Sequence, residues 1–312
     1  MKYRTLGSTG LTVSVVGVGT WQFGGEWGKD FTQREVDAMF DKARACGINL
    51  IDTAECYGDH LSEQFVGAAI EKDRARWVLA TKFGHKFHGR FDRTEPRSPE
   101  DVRQQLEESL KALRTDYIDV YQYHSWGDDD FFNDDVVAAL HKLKDSGKIR
   151  HIANSVGSNR NEKQVEASRR MGVEAIQIIY NRLQREPEET RVFDICREQN
   201  LGVLARVPLA SGFLSGKYDL DAEFPETDVR GRRDPEQVRQ VIEQVQRIQR
   251  EEVPNGVAMA QWALAWCLKH PAVTCVIPGC KNVEQVASNA AAADLDMVAA
   301  DHPQAAPQPA GV

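Results

Sequence analysis

Tyr57 stands beside a glycine in "DTAECYGDHLSEQFVG", a few residues beyond Asp52, the acid that closes an apolar run. Lys82 in "LATKFG" and His124 in "VYQYH" sit at the ends of two later apolar runs. A free phenol titrates near 10 and is a poor proton donor at neutral pH. An ammonium within hydrogen-bonding distance favours the phenolate and lowers that value. A carboxylate keeps such an ammonium charged and in place, and a histidine on the other side orients a carbonyl oxygen. A set of this kind can hand a proton to an alkoxide as it forms, which is general acid catalysis. Singly, each residue has an ordinary explanation: a helix cap for Asp52, a solvated strand end for Lys82, a satisfied core histidine for His124. Together, at the ends of successive apolar runs, the four read as a catalytic group.

The elements that must position them follow from the apolar pattern. Short runs rich in Val and Ile occupy residues 15–19, 48–54, 77–83, 117–124, 149–156, 175–181, 202–208 and 274–279. Most read as strands buried on both faces. Amphipathic stretches such as "QREVDAMFDKARACG", "PEDVRQQLEESLKALR", "DDVVAALHKLKDSG", "NEKQVEASRRMG", "EETRVFDICREQNLG" and "VAMAQWALAWCLKH" lie between them and read as helices. Eight strands alternating with helices predict an α/β fold, a (β/α)8 barrel of parallel strands. An open doubly wound sheet would want a glycine fingerprint leading into a helix after the first strand, and "GVGTWQFGG" does not supply one. In a barrel, functional groups gather at the C-terminal strand ends. Neighbouring strands lie about 4.8 Å apart, so side chains at three adjacent ends converge. The opening "YRTLGSTGLTVS" predicts a hairpin at the lower end of the barrel. One domain is expected over residues 1–298, and the Pro/Ala-rich residues 299–312 are expected to be disordered.

These segments carry a resemblance. "DTAECYGDHLSEQFVG", "LATKFG" and "TDYIDVYQYH" resemble the signature segments of the aldo-keto reductases, and the similarity runs from "LGSTGLTVSVVGVGTW" to "VIPGCKNVEQVASNAAA". The resemblance implies a (β/α)8 barrel that binds NADP(H) without a Rossmann domain. It also implies NAD(P)H-dependent carbonyl reduction of aldehydes, ketones or sugars, or the reverse, with Tyr57 as acid, Asp52 and Lys82 tuning it, and His124 orienting the substrate. A barrel of the same family serving as a cofactor-holding regulatory subunit is the alternative. A hydrolytic barrel would need two acids at strand ends, and only Asp52 stands out.

For the cofactor, the resemblance implies Ser155 and Gln177 at the nicotinamide carboxamide, with Val156 where the family carries Asn. Arg206 replaces the stacking tyrosine of the seventh strand. Its guanidinium either stacks on the ring or pairs with an acid elsewhere. Leu209, Ser211 and Lys217 in "PLASGFLSGK" match the family's diphosphate clamp. Gly279 precedes a helix start suited to phosphate. Lys281 is the cation for a 2′-phosphate, with Gln285 and Asn289 meeting adenine. A single lysine there makes NADP(H) the expected cofactor and NAD(H) the second.

Trp21, Phe23 and Trp126 are expected to wall the substrate side, as apolar or sugar-stacking surfaces. His85 and His88 lie in a long basic loop without a third ligand, so no metal is assigned. "GDDDFFNDD" reads as a solvated acidic loop. The chain of 312 residues is 41% hydrophobic with a net charge of -8. That balance argues against a nucleic-acid partner, and no run of about 18 apolar residues suits a membrane. The partner expected is a small carbonyl or alcohol. The six cysteines include no CxxC. Free thiols and a cytoplasmic location are expected, without a signal peptide.

Overall fold

The computed structural model describes residues 1–312. Three short strands form a small sheet: β1 (Tyr3–Thr5), β2 (Thr12–Ser14) and, at the far end of the chain, β13 (Ala305–Ala306). Between them run β3 (Val18–Gly19), β4 (Leu50–Asp52), β5 (Val78–Phe83), β6 (Lys86–Gly89), β7 (Asp92–Thr94), β8 (Ile118–His124), β9 (Ile149–Ser155), β10 (Val173–Ile179), β11 (Gly202–Arg206) and β12 (Cys275–Val276). Eight of them pair in parallel in the order β12-β11-β10-β9-β8-β5-β4-β3. Bridges from Val16 to Val276 and from Gly19 to Gly279 bring the eighth strand back beside the first. The molecule is therefore the expected (β/α)8 barrel, and each of the eight apolar runs supplies one of its strands.

Local chemistry accounts for the helices that wrap it. Helix Gln33–Ala45 opens on a capping box between Thr32 and Glu35. Helix Pro99–Leu113 opens on Ser98 and Asp101 with proline in its first turn. Burial of Val36, Met39, Phe40 and Ala43 on the first, and of Val102, Leu106, Leu110 and Leu113 on the second, places an apolar stripe against the strands. Two elements depart from expectation. "NEKQVEASRRMG" is helical only over Glu162–Glu166 before turning into β10. Pro235–Glu252, the longest helix, was not read as one because its apolar residues Val238, Ile242, Val245 and Ile248 are set among charges.

The lower end is closed by the β1–β2 hairpin. Its Leu6 and Val13 join Leu50 and Val78, at the starts of β4 and β5, in one apolar cluster inside the barrel. Arg4 is buried and donates to Val273 O at 2.6 Å and Leu268 O at 3.0 Å, which ties the hairpin to the end of helix Met259–Leu268 and the loop that leads to β12. The terminal residues, expected to be disordered, are instead engaged with this sheet. Thr5 N donates to Gln304 O at 2.7 Å, Tyr3 and Arg4 pair with Ala306 and Ala305, and His302 is buried. The physical reason is that β1 has an unpaired edge, which a short Ala-rich segment can satisfy despite its prolines. Removing residues 299–312 should therefore lower the unfolding free energy by about 2–3 kcal/mol, at about 1 kcal/mol per lost hydrogen bond. Urea denaturation of the full and shortened chains measures this, and coincident curves would return the tail to the disordered class.

Candidate active site

The barrel register aligns the upper strand ends. Asp52 closes β4, His124 closes β8 and Ser155 closes β9, while Lys82 lies one residue before the end of β5, level with Gln122 of β8. Gln177 on β10 is level with Ser155, which in turn is level with His124. Side chains from neighbouring strands therefore meet at one height.

The structure brings Asp52, Tyr57, Lys82 and His124 together. Lys82 Nζ donates to Asp52 Oδ2 at 2.8 Å, to Thr53 O at 2.7 Å and to Tyr57 Oη at 3.1 Å. Its three protons thus have three acceptors. The other oxygen of Asp52 accepts from Gln177 Nε2 at 2.6 Å and Gln122 Nε2 at 3.1 Å. Burial alone would pull the Lys82 ammonium down, but Asp52 and Tyr57 outweigh it and the value is raised. The Tyr57 phenol is pushed up to about 12, because desolvation exceeds the lowering effect of Lys82. This corrects the expectation of a lowered phenol. The ammonium acts in the expected direction and loses to burial. His124 is driven well below its ordinary value, first by burial and then by His85, Lys82, Arg206 and Arg93, so it is neutral at pH 7. Its Nδ1 lies 3.7 Å from Cys56 Sγ, and burial raises that thiol.

A cavity of about 390 Å³ runs away from this group across the upper face. Trp21 lines it, stacked on Tyr57 with centroids 6.1 Å apart and planes at 24°. Phe23 does not reach it, because it is buried edge-on against Phe31 at 5.0 Å. Trp126 is also absent from the wall. It is packed among Phe83 and Tyr123, with Arg97 over its ring, under the strand end rather than above it. Trp27, His85, Cys56 and Arg93 line it instead. His88 pairs with Thr94 at 2.8 Å, outside the cavity. Residues 84–98, read as a basic loop, contain the β6–β7 hairpin that carries Arg93.

Every residue assigned to a cofactor lines this cavity. Ser155 Oγ donates to Gln177 Oε1 at 3.3 Å. Arg206 donates to Val156 O at 3.2 Å, no carboxylate lies within ion-pair distance, and its buried Nε has no partner. The reading of an arginine paired with an acid is therefore excluded. Val207, Ala210 and Ser211 near Leu209 have φ of 53°, 47° and 59°. A β-branched residue in the left-handed region is an outlier that marks a shaped loop. Lys217 lies farther along this wall, and Gly279, Gln285 and Asn289 continue it at the end where Lys281 stands. Lys281 is less free than expected: Nζ donates to Trp27 O at 2.6 Å and lies 3.8 Å from Asp228, which is paired with Arg230. Sequence reasoning missed Gln122, Arg93 and Arg230. Gln122 was legible, since it stands two residues before His124 and strand alternation puts both on one face.

Arg206 and Gln22, whose buried Nε and Oε1 have no partner, line a groove with an acid–phenol group at one end and Lys217, Arg230 and Lys281 toward the other. Such a donor set fits a nicotinamide dinucleotide. Residues 15–305 match the model of the aldo/keto reductase family. A relative in Escherichia coli (strain K12), named NADH-specific methylglyoxal reductase, is 32% identical, with 96% of each chain covered. An aldo-keto reductase of Bacillus halodurans, solved in its holo form, superposes with a TM-score of 0.78 at 31% identity over 97% of this chain and 94% of that one. The glycerol dehydrogenase of Gluconobacter oxydans superposes with a TM-score of 0.77 at 26% identity, covering 97% and 96%.

The buried pair can be tested without reference to turnover. Lys82→Met would leave the Asp52 carboxylate with only amide partners. Removing one member of a buried pair costs about 3–5 kcal/mol. A loss of that size is expected in urea denaturation, and the double variant Asp52→Asn with Lys82→Met should recover most of it. A single variant as stable as the parent would show that the pair does not hold the strand ends together.

Proposed function

Because the chain belongs to the aldo/keto reductase family, we propose that it reduces aldehydes, ketones or sugar carbonyls to alcohols, or catalyses the reverse oxidation, with Tyr57 as the general acid. The observation that carries this reading is the three-way bonding of Lys82 Nζ to Asp52, Thr53 and Tyr57. When bound, a nicotinamide cofactor supplies or accepts the hydride. The protein's own part is to bind, orient and move a proton.

Because Lys82 donates to Tyr57 Oη, that oxygen is an acceptor toward the lysine and its own proton is left for the substrate. A phenol held up to about 12 keeps that proton at neutral pH. An alkoxide is a far stronger base than a phenolate, so transfer to it is downhill, and the phenolate formed lies against the ammonium. The raised Cys56 thiol is protonated and faces His124 Nδ1. With Nδ1 as acceptor, the ring proton sits on Nε2, the nitrogen that can donate to the substrate carbonyl. Ser155, Gln177 and Arg206 would hold the nicotinamide end, and Leu209, Ser211 and Lys217 the diphosphate. Backbone N–H groups gathered in left-handed loops such as 207–212 favour anions. Gly279, Lys281, Gln285 and Asn289 would take the adenosine end. We assign NADP(H), on the strength of the Lys217, Arg230 and Lys281 cluster. NADH is the second reading, favoured by the engagement of Lys281 with Trp27 O and Asp228.

Tyr57→Phe keeps the ring and loses the proton. Turnover of any accepted aldehyde should fall by about 10²–10⁴-fold, the usual scale for a general acid, while the cofactor dissociation constant stays nearly unchanged. Near-normal turnover would remove Tyr57 from the mechanism.

Lys281→Ala should weaken NADPH more than NADH, by about 10- to 150-fold for a charge-assisted contact. Fluorescence titration with both cofactors measures it. Equal losses would show that Lys281 does not read a 2′-phosphate and would move the assignment to NAD(H).

A further inference from the structure

The wall beyond Tyr57 carries a charge that reduction of a plain aldehyde does not require. Arg93, on β7, lines the cavity beside His85, His124 and Cys56. Its side chain is 21% exposed, and it donates from Nη2 to Glu26 Oε2 at 2.5 Å. A guanidinium has five N–H donors in a rigid fork. Cys56 lies beside it as well. Glu26 is itself saturated. It is 1% exposed, its Oε2 also accepts from Trp21 Nε1 at 2.7 Å, and its Oε1 accepts from Phe91 N at 2.9 Å. Glu26 therefore fixes the guanidinium while leaving most of its donors to the cavity. Anchoring the hairpin explains the Glu26 pair. It does not explain why a fork-shaped cation, rather than a neutral donor, borders the reacting group.

The charge balance at this end points the same way. Lys82 and Asp52 compensate one another, as do Arg93 and Glu26. Arg206, which lines the same cavity, has no carboxylate partner. Burial pushes the Glu55 carboxyl up to about 8, so it is mostly neutral at pH 7. His85 and His124 are both held below their ordinary values, chiefly by burial. The reacting end thus carries one uncompensated positive charge. Its acids are saturated, in the case of Asp52 and Glu26, or protonated, in the case of Glu55. Glu95, 3.9 Å from His85, is paired with Arg97 and is likewise compensated.

We propose that the carbonyl substrate bears a carboxylate close to the reacting carbon, and that Arg93 binds it. The carboxylate would meet the free edge of the guanidinium while the carbonyl oxygen lies between Tyr57 and His124. This assignment rests on the carbonyl-reductase reading above and adds the chemical class of the substrate to it. Arg206 adds attraction at longer range, and the aromatic ring of Trp21 covers the short carbon chain.

The test compares each anionic aldehyde with its uncharged ester: glyoxylate with methyl glyoxylate, and 4-oxobutanoate with methyl 4-oxobutanoate. In the parent protein the anion should have the higher kcat/KM in at least one pair, by about 10- to 100-fold, the scale of a charge-assisted hydrogen bond. Arg93→Met should bring that ratio toward one through the KM of the anion, and Arg93→Lys should restore part of it. An ester preferred in both pairs, or a ratio unchanged in Arg93→Met, overturns the proposal. Where Arg93→Met misfolds because Glu26 is stranded, the double variant with Glu26→Gln takes its place. The parent protein offers an independent reading as well. The KM of the anion should rise with salt while that of the ester stays level, and a salt-independent KM for the anion overturns the proposal. Failure of the parent protein to reduce any of the four compounds, with either cofactor, would instead remove the carbonyl-reductase reading on which the assignment stands.

Discussion

A buried ammonium with every proton accounted for governs the upper face of this barrel. Lys82 and Asp52 have almost no contact with solvent, and removing two charges from water is expensive unless each is fully bonded. The protein meets that condition with Thr53 O and Asp52 on the lysine, and with Gln122 and Gln177 on the aspartate. One ammonium proton is then left over, and the acceptor that takes it is Tyr57. The position of the phenol is thus a consequence of satisfying the lysine. Gln177 is fixed in the same network, and Ser155 is fixed through Gln177. Tyr57 and Ser155 belong for this reason to one hydrogen-bonded unit, held by strands whose own register keeps them level.

A second unit, built around Glu26, shapes the wall opposite. It binds Trp21 from the loop after β3 and Phe91 and Arg93 from the hairpin after β5. Trp21 in turn lies against Tyr57. Both units rely on a buried carboxylate that gathers donors from separate segments, and both would lose several contacts at once if that carboxylate were neutralised. The two units differ in origin. The first hangs on strand ends and follows from the barrel, while the second ties the loop after β3 to the β6–β7 hairpin.

The strands and the polar residues Asp52, Lys82 and His124 at their ends, with Tyr57 in the loop after the first, were legible because they depend on local pattern: apolar runs of strand length, each followed by residues that packing does not ask for. Gln122 obeys the same period-two rule and was available to it. What sequence did not reveal depends on distances between segments remote in the chain. Trp126 and Phe23 have the composition of a pocket wall, yet ring packing with Phe83, Tyr123 and Phe31 draws them inward. The Tyr57 phenol shows the same limit in energetic form. Its neighbours could be named from sequence, but the balance between the lysine's field and the loss of water could not, since burial is a property of the whole fold. The tail was misread for a related reason: its composition gives no sign that an unpaired strand edge waits for it.

That edge, and the seam beside it, bear on how the chain is made. Val16 pairs with Val276 and Tyr3 with Ala306, so each early strand, paired on one side with its neighbour in sequence, finds its partner on the other side only among residues near 276–306. At about 5–20 residues per second, the first barrel strand leaves the ribosome tens of seconds before its closing partner exists. Through that interval β3 has an open flank, and the apolar face of the hairpin, with Leu6 and Val13, has an incomplete barrel to cover. Vectorial synthesis can build the middle of the sheet early, but the ring cannot close until β12 has emerged. The nascent protein is therefore exposed to strand-edge aggregation and to chaperone capture until β12 emerges, and at β3, the barrel strand made first, rather than at those made last.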